Sequence, residues 1–197
     1  MVTIKGKKVY LESLNLVNVY EMRSWGNHED PLFDDYNFPE LEDFEIKRWF
    51  DIKTSQKDCE SFGVLNEDGK TIGFISIKDI RKLLKTANLG IAFDPRYINK
   101  GYGTEALKVL LKYYFDSMNM RTMYLDVAKH NIRAIKCYEK CGFKIIKEYT
   151  MKNNDINLND IQLEDTKNYF IIKKDTLYGY YYKMRLGKND YKDFLFT

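Results

Sequence analysis

Residues 99–104 read NKGYGT and residues 131–143 read NIRAIKCYEKCGF, and these two stretches decide the fold. In the first, two glycines precede a helical pattern, so free N–H groups and the positive end of a helix dipole face the space beside the loop. Such a loop suits an anion, and a phosphate site is our hypothesis. For a short G-x-G alone, a helix start without any ligand is an equally good interpretation.

The second stretch has helical spacing over residues 131–141, followed by a glycine. We expect the helix to end at Gly142, because glycine readily adopts the left-handed conformation common at helix C-termini. Upstream of the glycine loop, residues 87–93 are predicted to form a strand that ends at Asp94-Pro95, since proline cannot donate a ladder hydrogen bond. The glycine loop therefore connects a strand to a helix.

Outside these stretches, hydrophobic residues recur with both strand and helix periods, which predicts a mixed α/β fold. The predicted strands cover residues 8–14, 61–65, 71–77, 87–93, 123–128, 143–150 and 178–186, and the predicted helices cover residues 14–25, 40–52, 103–117 and 131–141. The turn from Asn66 to Gly69 predicts an antiparallel hairpin. Residues 152–176 are rich in Asn and Asp and are interpreted as a polar insertion, within which residues 169–172 could form a short strand.

The composition favours a single domain over residues 1–197, because 44% of the residues are hydrophobic and only 3 are proline. With 32 Lys and Arg against 29 Asp and Glu, the net charge of +3 gives no case for nucleic acid or an anionic membrane as a partner. No apolar stretch has the length of a membrane span, and no secretory leader is visible, so we expect a cytoplasmic protein. Three cysteines argue against a disulfide framework, and the two histidines complete no ligand set, so no metal is expected.

A dinucleotide-dependent oxidoreductase is the first rival interpretation. Residues 101–106 fit the relaxed pattern G-x-G-x-x-A, and Asp126 ends the next predicted strand, where a ribose-binding acid would belong. That pattern requires its first glycine directly after the first strand, whereas residues 94–100 intervene here. The preceding hairpin is also antiparallel, which is not how a dinucleotide-binding domain begins.

Together with residues 91–95, which read IAFDP, the two stretches resemble the GCN5-related N-acetyltransferase (GNAT) superfamily, especially its RimI-, RimJ- and RimL-like branches. The resemblance is carried by N-x-x-A-x-x-x-Y-x-x-x-G-F, is strong over residues 87–149 and is weaker in the flanks. It implies a mixed α/β sheet whose central strands splay apart, with acetyl-CoA entering the gap. It also implies an N-acetyltransferase in which a primary amine attacks the thioester directly.

The resemblance assigns residues to each part of that cosubstrate. Backbone groups of Ile91, Ala92 and Phe93 would pair with the pantetheine arm and polarise the thioester carbonyl. Asn131 would hydrogen-bond near the thiol end, and Tyr138 would protonate the departing thiolate. The pyrophosphate would bind the loop formed by Asn99, Lys100, Gly101, Tyr102, Gly103 and Thr104.

The base that removes the amine proton is less well defined. Asp126 matches a family acid and could act directly or through water, although a strand-end carboxylate that forms a cap or a salt bridge is an equal interpretation. Asn88 stands where many relatives carry a glutamate, which leaves a non-catalytic acyl-CoA-binding module as a second alternative function. Ile98 departs from the family's loop consensus, a change we expect to be tolerated because the phosphate contacts are mainly from the backbone.

The acceptor is indicated by residues 29–45, which contain eight acidic residues and four aromatic residues without one Lys or Arg. In the resembled family this part of the chain forms one wall of the acceptor site, and an acidic, aromatic wall would attract a cationic amine. A solvated acidic helix face is the alternative. A polyamine, an aminoglycoside-like amine or a protein N-terminus would all fit, and a homodimer could pair through the strand that holds residues 180–182.

Overall fold

The computed structural model describes residues 2–153, 167–174 and 176–195. Over these ranges the chain forms nine strands, which are β1 (Thr3–Lys5), β2 (Tyr10–Ser13), β3 (Glu60–Leu65), β4 (Thr71–Arg81), β5 (Thr86–Phe93), β6 (Thr122–Ala128), β7 (Lys144–Lys152), β8 (Phe170–Lys173) and β9 (Thr176–Gly187). The α-helices are α1 (Leu16–Met22), α2 (Asp43–Thr54), α3 (Tyr102–Lys112), α4 (Ile132–Glu139) and α5 (Lys188–Leu195). Short 3₁₀ segments cover Pro31–Tyr36 and Pro95–Tyr97, and α3 continues into a π-helical turn over Tyr113–Ser117.

The strands form one mixed sheet in the order β1-β2-β3-β4-β5-β6-β9-β7, with β8 also paired to β9. Among the described strand pairs, only β5 and β6 run parallel. The mixed α/β prediction is confirmed, and so is the antiparallel hairpin, whose Gly69 has a φ of +75°. A dinucleotide-binding domain needs a mostly parallel sheet, so this topology disfavours the oxidoreductase alternative.

The two central strands separate after a short contact. β5 and β6 pair at only three positions, from Thr86 opposite Thr122 to Asn88 opposite Tyr124, and beyond Asn88 the strands diverge. The loop and helix α3 that join them pack on the core through Ala106, Leu107 and Leu110, which are fully buried. The predicted splay is therefore present, and it opens a gap beside the C-terminal half of β5.

Several elements differ from the prediction. The first predicted strand corresponds to β2 alone, and β4 extends to Arg81. Strand β1, the 3₁₀ segment Pro31–Tyr36 and helix α5 were not expected. Strand β8 coincides with the short strand considered at residues 169–172, but residues 154–166 of the polar insertion lie outside the described residues. A single domain over residues 1–197 stays a prediction.

The prediction that two copies pair through the strand holding residues 180–182 is wrong. Tyr181 of β9 is paired with Ala128 of β6 on one side and with Tyr149 of β7 on the other. Because both edges of this strand are occupied within the chain, residues 180–182 cannot pair with a second copy through their backbone. A homodimer itself stays a prediction. None of the described helices has the length and apolar character that a membrane crossing requires.

Candidate active site

A cleft of about 590 Å³ lies where β5 and β6 separate. Its walls come from the end of β5, the loop before α3, helix α4 and a segment near the N-terminus that contributes His28 and Tyr36. Ligand clefts in proteins have a volume of this order. Of the residues predicted for the site, the cleft is lined by Ile91, Ala92, Phe93, Asn99, Gly101, Gly103, Thr104, Asn131 and Tyr138.

The glycine loop, residues 99–104, has the backbone geometry of an anion site. Gly101 is the N-cap of α3 with a φ of +87°, and the first helical hydrogen bond runs from Glu105 N to Gly101 O at 3.1 Å. The N–H groups of the preceding helical residues have no acceptor within the helix, as at every helix start. A Cβ on Gly101 would meet no atom within 4 Å, so glycine is required there by conformation and not by crowding.

Two side chains of the glycine loop, those of Lys100 and Tyr102, point away from the cleft. The ammonium of Lys100 lies 5.4 Å from the centroid of the Tyr97 ring. The Tyr102 hydroxyl donates to Glu67 at 3.0 Å, on the β3–β4 hairpin. Neither Lys100 nor Tyr102 lines the cleft, so the loop offers it mainly backbone groups.

The end of β5 offers backbone groups to the gap at alternate residues. Asp94 N donates to Ile72 O at 3.0 Å, and Ala92 is paired with Phe74 of β4. Backbone groups of consecutive residues in a strand point to opposite edges, so Ala92 faces β4 whereas Ile91 and Phe93 face the gap. Of the three residues predicted to contact the pantetheine arm through the backbone, Ile91 and Phe93 have groups that face the gap. Ala92 only lines the cleft.

Helix α4 brings Asn131 and Tyr138 to the same cleft. Asn131 is buried and caps the helix, since its Oδ1 accepts from Ala134 N at 3.1 Å. Tyr138 is 8% exposed and its ring packs edge-on against Phe143. Burial, together with the nearby Tyr36 phenol, raises the pKa of Tyr138 well above its ordinary value of 10, so the phenol stays protonated at neutral pH. The helix ends at Glu139, two residues earlier than predicted, and Gly142 has the predicted left-handed conformation, with a φ of +89°.

Asp126 is placed away from this cleft. It lies on β6 between Leu125 and Val127, whose side chains are buried in the core, so its own side chain points to the opposite face of the sheet. There it is exposed, and it accepts a hydrogen bond from the Tyr149 phenol. The structure brings Tyr138, Asn131 and the glycine loop together, but it does not bring Asp126 to them.

Residues 24–38 form a side wall of the cleft that is tied to the β-sheet. Gly26 N donates to Asp94 Oδ1 at 3.2 Å, and the Arg96 guanidinium binds both Asp94 and the Ser24 carbonyl. Burial alone would raise the pKa of Asp94, but the hydrogen bonds and charge of Arg96, with the Gly26 amide, hold it below its ordinary value. This buried carboxylate therefore fixes the side wall to the end of β5.

The side wall carries two aromatic residues of the predicted acceptor wall, Phe33 and Tyr36, together with His28, which the sequence did not point to. Tyr36 hydrogen-bonds to the Asn131 side chain and to the Ala128 backbone, yet burial raises its pKa to about 12. The Phe33 ring lies between the His28 ring, at 5.4 Å, and the Arg133 guanidinium, at 5.9 Å. The sequence shows one of only two histidines at the edge of the acidic segment, but nothing local says that helix α4 faces it.

The acidic side chains of residues 29–45 partly have structural roles. Asp30 Oδ1 accepts from Leu32 N at 3.0 Å at the start of the 3₁₀ segment, and Asp43 forms a 2.8 Å salt bridge with Arg23. Glu45 accepts from Glu42 N at the start of α2. None of the eight acids lines the cleft, although the charges of Asp30 and Asp34 reach His28 and that of Asp35 reaches Tyr36.

A family model described as an acetyltransferase (GNAT) domain matches residues 14–144, which hold the side wall, β5, the glycine loop and α4. The chain belongs to the GNAT acetyltransferase family. The resemblance identified from the sequence is thereby confirmed at the level of the family, whereas its RimI-, RimJ- or RimL-like subtype stays a prediction.

Relatives of this GNAT chain include the spermidine N(1)-acetyltransferase of Escherichia coli K12, with 32% identity over 128 residues, which cover 65% of the chain and 63% of the relative. The probable N-acetyltransferase YjcK of Bacillus subtilis is 26% identical over 71% of the chain and 82% of its own length. The alignment thus spans less than two thirds of the first relative.

The solved structures include a spermidine N-acetyltransferase from Vibrio cholerae in complex with CoA and spermine. It superposes with a TM-score of 0.68 at 19% identity and covers 94% of this chain and 98% of that one. A GNAT acetyltransferase from Bacillus anthracis has a TM-score of 0.69 at 17% identity, covering 95% and 99% of the two chains. At these identities the likeness shows the fold alone.

The GNAT cleft suits acetyl-CoA, the cosubstrate of this family. A helix start with a left-handed glycine can hold a diphosphate, and the free edge of β5 can pair with an amide-bearing arm. Among the described residues, no three His, Cys, Asp or Glu side chains lie close enough together to bind a metal ion.

Proposed function

We propose that this protein transfers an acetyl group from acetyl-CoA to a primary amine. The observation that carries the proposal is that one cleft joins the anion-binding glycine loop, the free edge of β5 and the buried phenol of Tyr138. Those three features are the parts needed to hold a diphosphate, to orient a thioester and to protonate a thiolate.

In the proposed reaction the backbone does most of the binding. N–H groups at the start of α3 hold the pyrophosphate, and the gap-facing groups of Ile91 and Phe93 orient the pantetheine arm and the thioester carbonyl. Donors that are fixed before the reaction stabilise a developing oxyanion without having to reorganise. Binding the two reactants in one cleft also removes most of the entropic cost of their encounter.

Tyr138 is proposed as the general acid. Its hydroxyl belongs to a protonated phenol at neutral pH, because its pKa is raised by burial. A phenol that is a weak acid in water protonates a thiolate efficiently only when it is held next to the sulfur, so its fixed packing against Phe143 supports this role.

A cationic amine of the polyamine class is proposed as the acceptor. Asp30, Asp34 and Asp35 place negative charge within electrostatic range of the cleft residues His28 and Tyr36. Negative charge at one end of a cleft concentrates cations there, while the basic lining residues Arg133, Lys136 and Lys140 come from helix α4 and its C-cap. The E. coli relative, a spermidine N(1)-acetyltransferase by name, supports the same class.

The proposal is tested by incubating the protein with acetyl-CoA and a panel of amines that includes spermidine, spermine, an aminoglycoside and an N-terminal peptide. Free thiol from CoA and acetylated product are both measured. We expect release of CoA in step with acetylation of at least one amine, fastest for the polyamines. Binding of acetyl-CoA without transfer to any amine would instead favour an acyl-CoA-binding module, and transfer only to the peptide would overturn the acceptor class.

A further inference from the structure

Acetyl transfer from a thioester to an amine releases a proton from the amine, which a side chain of the cleft can accept directly or through water. Among the lining residues within the described ranges there is no aspartate and no glutamate. Asp126, the acid expected from the sequence, lies on the other face of β6. The base therefore has to be sought among the side chains that the cleft does contain.

The phenols of the cleft are already protonated at neutral pH, but two other side chains can accept a proton there. One is Cys137, whose sulfur lies 3.3 Å from the Thr104 hydroxyl, which puts the thiol beside the glycine loop, at the end of the cleft suited to phosphate. The other is His28, which lies at the end of the cleft that also holds Tyr36 and Asn131. Of the two, His28 lies beside Phe33, in the segment that the family resemblance assigns to the acceptor site.

The position of His28 is fixed by its surroundings. Its backbone N–H donates to Asn37 Oδ1 at 2.8 Å, which closes the loop that carries it. Its ring packs on Phe33 with centroids 5.4 Å apart, and Phe33 in turn contacts His130 at 5.3 Å. A half-buried imidazole held in this way has one side against an aromatic ring and keeps access to the cleft.

The charges that face His28 come from two elements. Arg133 approaches from helix α4, and Asp30 and Asp34 approach from the side wall. Burial, followed by the Arg133 charge, lowers the pKa of the imidazole, and the two carboxylates only partly oppose this change. With a pKa below its ordinary 6.5, His28 is neutral at physiological pH and is free to accept a proton.

We propose that His28 is the general base that takes the proton from the attacking amine. This inference rests on the proposed acetyl transfer. The amine nitrogen bonds to the acetyl carbon and the carbon–sulfur bond breaks. The amine proton passes to the His28 ring nitrogen, the Tyr138 proton passes to the sulfur, and both side chains then exchange protons with solvent. A neutral imidazole suffices, because the nitrogen becomes far more acidic once it has bonded to the carbonyl carbon.

The test compares His28→Ala and His28→Gln with Asp126→Asn as the matched control, using the amine that the wild type acetylates fastest. We expect kcat to fall about a hundredfold in both His28 variants and to change less than about threefold in the control. The affinity for acetyl-CoA, measured by calorimetry, should not change in any of the three. In the wild type, kcat should decline below pH 6.5 as the imidazole gains its proton, and this decline should be absent in His28→Gln.

Rescue by free imidazole separates a base from a packing residue. Added imidazole should restore a large part of the activity of His28→Ala, and it should restore none to Tyr138→Phe. Activity near that of the wild type in the His28 variants, or a loss that imidazole does not restore, would overturn the proposal. A wild type that acetylates no amine would instead refute the proposed function, so the two failures are distinct.

Discussion

The glycine loop with the end of β5 and the side wall over residues 24–38 line the same cleft, but they are built differently. The glycine loop and β5 offer backbone groups, positioned by a left-handed Gly101 and by strand alternation. The side wall offers side chains such as His28 and Tyr36, positioned by contacts with helix α4. Backbone geometry leaves a local signature in the sequence, whereas side-chain positions set by distant contacts leave none.

The largest effect is expected where the two regions meet, at Tyr138. Replacing it with Phe removes the proton donor and keeps the packing against Phe143, so kcat should fall about a hundredfold while acetyl-CoA binding is retained. Steady-state kinetics and calorimetry measure the two quantities. Tyr149→Phe, outside the cleft, is the control, and equal losses in both variants would refute the assignment of Tyr138 as the acid.

Asp94→Asn tests whether the side wall depends on its link to β5. Loss of the carboxylate weakens hydrogen bonds to Arg96 and Gly26. The free energy of unfolding, measured in urea at pH 7, should therefore be lower than that of the wild type by about 1–3 kcal/mol. The pKa of Asp94 is lowered in the folded state, so the stabilisation is complete at neutral pH and disappears as the pH falls through that pKa. The difference in the free energy of unfolding between the variant and the wild type should therefore vanish in strong acid.

The same variant distinguishes the two regions kinetically. Because Asp94 binds Gly26 directly and Ser24 through Arg96, we expect KM for the amine to rise more than KM for acetyl-CoA. A larger change in KM for acetyl-CoA would mean that the hydrogen bonds of Asp94 support the glycine loop instead of the side wall.

Gly101→Ala should have a smaller effect that is confined to the glycine loop. An alanine at a φ of +87° is strained by about 1 kcal/mol, although its Cβ would meet no atom within 4 Å. The matched control is Gly69→Ala, with a φ of +75° in a hairpin turn that is equally open. Both variants should lose similar stability, but only Gly101→Ala should bind acetyl-CoA more weakly. Equal acetyl-CoA affinity in the two would argue against the loop as the phosphate site.

Lys100→Ala should have the smallest effect. The ammonium is exposed, lies over the Tyr97 ring and does not line the cleft, so the dissociation constant for acetyl-CoA should rise by less than about threefold. Binding measured at two salt concentrations checks this prediction. A loss of tenfold or more would show that the side chain reaches the phosphates and that the backbone is not sufficient.

The contrast between local backbone requirements and distant side-chain contacts also explains how much of the structure could be predicted from the sequence. Gly142, the Asp94-Pro95 strand end and the turn from Asn66 to Gly69 each carry a local conformational requirement, and all three are found as predicted. Helix α5 was missed because its stability depends on distant packing, in which the Tyr191 ring stacks on Phe115 at 4.8 Å. The 3₁₀ segment at Pro31–Tyr36 likewise depends on Phe33 packing against His130.

Within the candidate site, Gly101 could be predicted from a glycine loop that precedes a helix, and it lines the cleft. Ile91 and Phe93 were predicted from the family resemblance and line the cleft as well, whereas Asp126 matched a family position whose side chain points away from it. His28 and Arg133 were missed because their proximity joins parts of the chain about a hundred residues apart. Only the folded chain shows that the Arg133 charge acts on His28.

The most direct measurement of the central claim is mass spectrometry of the amine panel after incubation of the wild-type protein with acetyl-CoA, with free CoA titrated in the same samples. The account predicts one acetyl group on an amine for each CoA released, with polyamines reacting fastest. No acetylated amine despite tight binding of acetyl-CoA would contradict it.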